Sequence, residues 1–151
     1  MNKLKNIGKV YVASPLNAPT KKVISHNMKK AKEYCYLIEK LSDGKAWAIH
    51  AHLPNLLDDN NEEERKIALR WGIELLGCSD TLIVCGTKIT KGMENEIKEA
   101  RKQNKSIYYF YRNVSRFHIL NVISSKIFKF RISIEEELNE KGGDIPCINF
   151  E

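Results

Sequence analysis

Apolar and polar positions follow two alternating periods over the first 111 residues. Lys9–Ser14, KVYVAS, is a short apolar run closed by Ser14-Pro15, which predicts a strand and a loop. Ile24, Met28, Ala31, Cys35 and Ile38 then recur at four- and three-residue steps, and Leu41 completes the stripe. This is a long helix with lysines over its outer face, stopped at Asp43-Gly44. Ala46–Ile49 predicts a second strand running into His50-Ala51-His52. A loop with Pro54 and Asp58-Asp59 follows. Asn60 or Asn61 then caps a helix whose first turn is Glu62, Glu63 and Glu64. Ala68, Trp71, Gly72, Leu75 and Leu76 form its buried side, and Gly77 ends it. Cys78–Cys85 predicts a third strand, Gly86–Gly92 a loop, Gly92–Asn104 a third helix and Ser106–Phe110 a fourth strand.

The order β-α-β-α-β-α-β predicts an α/β fold, a parallel sheet with helices on both faces. The last forty residues read differently. Phe128, Phe130 and Ile132 alternate with Lys129 and Arg131, as in a half-exposed strand. Ile134–Glu140 predicts a short acidic helix, and Ile145–Phe150 a final edge strand. The expectation is one domain over 1–151, with an α/β core over 1–111 and a C-terminal extension over 112–151.

One position breaks the pattern of the third helix. Met93, Ile97 and Ala100 form its buried stripe, and Glu96 falls on the same stripe. A carboxylate facing inward just past a strand end sits where open α/β sheets bind ligands. It is either a catalytic or ligand-gripping acid, or a stripe-edge glutamate reaching water or a backbone amide. The loops after the first three strands should converge at one sheet edge. They would bring together Ser14, a histidine, Asp58, Asp59 and Glu96. Paired carboxylates are the equipment for cleaving a glycosidic bond through an oxocarbenium-like transition state. Asp58 and Asp59 also suit a simpler role, capping the helix that follows.

Composition narrows the classes. At 151 residues, 42% hydrophobic and 29% charged, the chain can bury a core without metal or disulfide staples. No apolar run approaches the roughly 20 residues of a membrane span, and the amino terminus lacks the apolar core of a signal peptide. Cys35, Cys78, Cys85 and Cys147 have no metal-ligand spacing, so buried free thiols in a reducing cytoplasm are expected. No GxGxxG, Walker A or HExxH segment is present. His50 and His52 would share a face on a strand, yet a metal there needs a third ligand, and no metal or cofactor is expected. The net charge is +6, and the acid-free stretch 111–131 carries Arg112, Arg116, Lys126, Lys129 and Arg131. Such a field favours phosphate-bearing partners. The phenylalanines there alternate as core residues do, so nucleic acid is not the expected partner.

Several of these segments resemble the nucleoside 2-deoxyribosyltransferase-like superfamily, in particular its small phage and bacterial branch. They are KVYVASP at 9–15, IxxHL at 49–53, LLDD at 56–59, EERKIALRWGIELLGCSDTLIVCG at 63–86 and ITKGMENEIKEA at 89–100. The resemblance implies a flavodoxin-like or Rossmann-like sheet of four to five strands. It also implies a pocket for a small-molecule nucleoside or nucleotide. It places Glu96 as the catalytic glutamate, Asp58 and Asp59 as the paired aspartates, His52 as the branch histidine and Asp80 as the strand-leading aspartate. Ser14, Pro15, Asn17, Gly86, Gly92 and Met93 would line the ligand site with His52. The reaction implied is hydrolysis or exchange of an N-glycosidic bond. The alternative is a binding or sequestering module for an ADP-ribose-type signal. A homo-oligomer is the expected assembly. Leu16-Asn17 stand where the family has an aromatic and an arginine, and Ala51 stands where the branch has a proline.

Overall fold

The structure is a computed structural model that describes residues 4–86, 88–113, 116–121 and 149–150. Strand β1 (Lys9–Ala13) leads to helix α1 (Lys21–Leu41) and strand β2 (Lys45–Trp47). Two short 3-10 turns, Ile49–Ala51 and Leu53–Asn55, precede helix α2 (Glu62–Gly77). Then come β3 (Thr81–Val84), β4 (Lys88–Ile89), α3 (Lys91–Lys102), β5 (Ser106–Asn113), β6 (Arg116–Asn121) and β7 (Asn149–Phe150).

The main sheet has the order β2-β1-β3-β5-β6. Its first four strands are parallel, and β6 pairs antiparallel with β5. The fold is therefore α/β of the flavodoxin-like or Rossmann-like kind, as the alternation predicts. Val10, Val12, Ile83, Cys85 and Phe110 pack with Ala31 and Ile38 of α1 on one face. Tyr11, Ala13, Leu82, Val84, Ile107 and Tyr109 pack with Leu76 of α2 and Met93, Ile97 and Ala100 of α3 on the other. The central strand β3, TLIV, is buried throughout, which explains why it reads as a continuous apolar run. No helix among the described residues is long and apolar enough to cross a membrane.

Three expectations are corrected. The second strand stops at Trp47, because the chain turns there through Ala51 N–H to Ala48 O (3.1 Å) and His52 N–H to Ile49 O (3.0 Å). His50 and His52 consequently do not share a strand face: His50 is buried and His52 exposed. The loop expected over Gly86–Gly92 contains β4, which pairs parallel with β7 in a separate two-stranded sheet. Of the expected edge strand Ile145–Phe150, the described part is therefore not on the main sheet. Third, of the thiols expected to be buried, Cys85 is, Cys35 is half-buried on α1, and Cys78 is exposed because it lies just past the end of α2. The expected strand around Phe128–Ile132, the helix Ile134–Glu140 and Cys147 lie outside the described residues.

Helix starts follow side-chain capping. Thr20 Oγ1 accepts from Val23 N at 3.3 Å, and Thr90 Oγ1 from Met93 N at 3.3 Å. Asn61 Oδ1 accepts from both Glu63 N (3.0 Å) and Glu64 N (3.3 Å). Asn61→Ala removes this acceptor from an exposed helix start. It should lower unfolding stability by about 1 kcal/mol, read by urea denaturation, with an unchanged slope.

Candidate functional site

In this strand order the crossover direction reverses between β1 and β3, and in open α/β sheets ligands bind past the carboxyl ends of the strands at such a point. Two loops border it. Ser14 and Pro15 follow β1, and Cys85 and Gly86 follow β3, tied by Cys85 N–H to Ala13 O at 2.8 Å. Gly86 has φ +100°, and a Cβ there would stand 2.8 Å from Pro15 Cδ. Only glycine accepts both conditions without strain. Gly86→Ala should therefore cost about 1–3 kcal/mol in a thermal melt. It should also force the Pro15 loop outward.

Glu96 lies on α3 beside the buried Met93, Ile97 and Ala100. Its carboxyl reaches over β1, where Tyr11 Oη donates to Oε1 at 3.1 Å. Tyr11 is the middle residue of β1, so the hydrogen bond holds the carboxyl beside the sheet. The backbone of α2 at Gly72 lies beside the hydroxyl, where an added Cβ would stand 3.4 Å from Tyr11 Oη, in ordinary contact. Glu96 is half-buried, and the protein around its carboxyl is dense enough to desolvate it. Burial raises its pKa from 4.5 to about 7, against a smaller lowering by the Tyr11 hydrogen bond. Tyr11 is pushed upward by burial first and by the Glu96 charge second, so it stays a neutral donor. The pair is a buried acid near its neutral point, held in one orientation by a phenol.

Beside β1, Ser14 Oγ lies 2.6 Å from His50 Nε2. Both residues are buried. Burial, with a smaller contribution from His52, lowers the His50 pKa from 6.5 to about 4. The imidazole is neutral in ordinary buffers and joins the loops after β1 and β2.

The other expected site residues are placed as follows. Pro15 packs at Gly86. Asn17, His52, Asp58, Asp59 and Gly92 are exposed, and Met93 is a core residue. Asp58 Oδ1 accepts from Asn60 N at 2.9 Å, and Asp58 N–H donates to Glu64, so this aspartate organises the turn entering α2. Asp80 lies at the opposite sheet end, where Oδ2 accepts from Lys9 N at 2.8 Å. His52 borders a depression of about 390 Å³ beside the edge strand β2, with Lys32, Cys35, Trp47, Ile49 and Leu75. Glu96 is not among the residues lining it. The described hydrogen bonds thus join Glu96 to Tyr11 and Ser14 to His50, and they place Asp58 in a turn.

Tyr11 and His50 are the residues that sequence reasoning did not assign to the site. Tyr11 did carry a signal: a tyrosine inside a buried strand needs a partner for its hydroxyl, and an inward glutamate needs a donor. His50 carried none beyond its proximity to His52. Among the described residues no group of three histidine, cysteine or acidic side chains could hold a metal.

Comparison with characterised proteins found no match. A family model described as a domain of unknown function (DUF7768) matches residues 8–110, from just before β1 into β5, and so takes in Tyr11, Ser14, His50 and Glu96. The chain belongs to the DUF7768 family.

Proposed function

We propose that the site around Glu96 cleaves or exchanges the N-glycosidic bond of a nucleoside or nucleotide. The observation that carries this reading is the buried Glu96 carboxyl, oriented by Tyr11 at 3.1 Å and poised near neutrality by its burial. Ionised, Glu96 bonds to or stabilises the anomeric carbon as the bond to the base breaks. The departing base takes a proton from solvent; the oxygen of water or the nitrogen of a second base then bonds to the anomeric carbon, gives up a proton to solvent, and frees Glu96 as carboxylate. Ser14 and the backbone amides of the β1 loop are suited to the sugar or phosphate. Asp58 or Asp59 would serve the ribose hydroxyls after a rearrangement of the turn that now engages Asp58. The resemblance of the GMENEI segment to the deoxyribosyltransferase-like superfamily supports the same assignment.

The second reading is a binding module for a nucleotide-derived ligand. It is favoured by Leu16-Asn17 in the first loop and by the engagement of Ser14 with His50. One experiment separates the two. The protein is incubated with a panel of nucleosides and nucleotides, free base is followed by chromatography, and binding of the same panel is followed by calorimetry. Release of base supports the catalytic reading. Binding without release supports the module, and neither result on any compound would remove both.

A further inference from the structure

The outer face of α1 carries a feature unrelated to the chemistry at Glu96. At 100° per residue, Lys21, Lys22, Lys29, Lys32 and Lys40 all fall within an arc of about 100°. All five are exposed. Tyr36 lies near the middle of that arc and is 60% exposed. Lys40 Nζ stands 5.2 Å from the centre of its ring.

The two acids of the helix stand at the two margins of the stripe, Glu39 at the same angle as Lys21. Glu33 pairs with Lys30 at 3.2 Å, at the margin of the arc. Glu39 accepts from Ala46 N at 3.0 Å, against the edge strand. Among the described residues, none of the five lysines of the stripe forms an ion pair. The stripe runs for about 28 Å along the helix.

We propose that this face of α1 binds single-stranded nucleic acid. A row of unpaired lysines matches a row of phosphates, and their binding releases counterions. An exposed aromatic within the row offers a stacking platform for a base. An anionic membrane would draw on the same charge. However, the apolar stripe of α1, including Ala31 and Ile38, is already spent in the core, so the helix has no apolar face to insert. In the basic stretch 111–131 the phenylalanines alternate along the sequence as core positions do. On α1 the aromatic is outside.

The test is fluorescence anisotropy of the whole chain with labelled oligo-dT and oligo-U of about twelve nucleotides, as a function of salt. Five phosphate contacts give a slope of log K against log salt of about −3.5. The triple variant Lys22→Gln, Lys29→Gln, Lys32→Gln should reduce that slope by about 2. Tyr36→Ala should weaken binding roughly five- to hundredfold at an unchanged slope. These residues are exposed, so melting curves should match the wild type and certify the fold. Lys129→Gln with Arg131→Gln should leave the slope as it is. Several results would overturn the proposal. They are a slope flatter than about −1, a triple variant with wild-type binding, or a slope flattened instead by the Lys129 and Arg131 pair. Stronger binding to phosphatidylserine vesicles than to the oligonucleotides would overturn it as well.

Discussion

Glu96→Gln is expected to leave the fold intact and to lower glycosidic-bond cleavage by about 10²–10⁴-fold. Glutamine has the shape of the acid and can still accept from Tyr11 Oη, so the link between α3 and Tyr11 of β1 is retained. What is lost is the ionisable group. Ligand binding should therefore survive better than turnover, and kcat should fall more than KM rises. The pH dependence gives an independent reading. If the ionised form acts, kcat/KM should rise with pH through about 7 and then level, because burial holds the carboxyl there. Tyr11→Phe removes the hydrogen bond that favours the charged form. The rise should then move to higher pH, with the variant least active relative to wild type on the acid side. Wild-type rates in Glu96→Gln, or a rate profile that ignores both substitutions, would take Glu96 out of the mechanism.

The second large effect concerns stability, and two buried groups act in opposite directions. Glu96 has a folded pKa of about 7 against 4.5 for an ordinary glutamate. The folded state holds its proton more tightly than the unfolded chain. Its contribution is therefore fully present below pH 4.5, is lost as pH rises toward 7, and is constant beyond. His50 has a folded pKa of about 4 against 6.5. Here the folded state holds its proton less tightly, so stability is full above 6.5 and falls as pH drops toward 4. At 1.36 kcal/mol per pH unit, each group commands about 3 kcal/mol. Between pH 4.5 and 6.5 the two slopes cancel. Wild-type unfolding free energy should change little across that window.

Single substitutions should expose each slope. In Glu96→Gln, stability should decline as pH is lowered from 6.5. In His50→Gln, it should decline as pH is raised from 4.5. Asp43 adds a further loss only on the acid side. Its pKa is lowered first by the Asn6 backbone N–H, and its contribution goes as pH falls below the ordinary carboxylate range. Chemical denaturation at four or five pH values reads all of this. Parallel profiles in the wild type and both variants would show that neither group titrates differently on unfolding.

Much of this protein was legible from residue order alone. The alternation of β-branched runs with three- and four-residue apolar steps determined four parallel strands and three helices. Met93, Ile97 and Ala100 determined the buried face of α3, and Glu96 stood out because it shared that face. These are local properties, since side-chain period is set by backbone geometry before any tertiary contact forms. Tertiary structure decided what the periods do not encode. Tyr11 and Glu96 lie 85 residues apart, and their hydrogen bond exists because α3 packs on β3 and β5, within reach of the Tyr11 side chain on β1. Ser14 and His50 meet only because β2 pairs with β1 and then turns after Trp47. That turn, too short for a periodic signature, separated His50 from His52. The near-neutral acid and the neutral imidazole likewise follow from burial, which depends on every element packed around them.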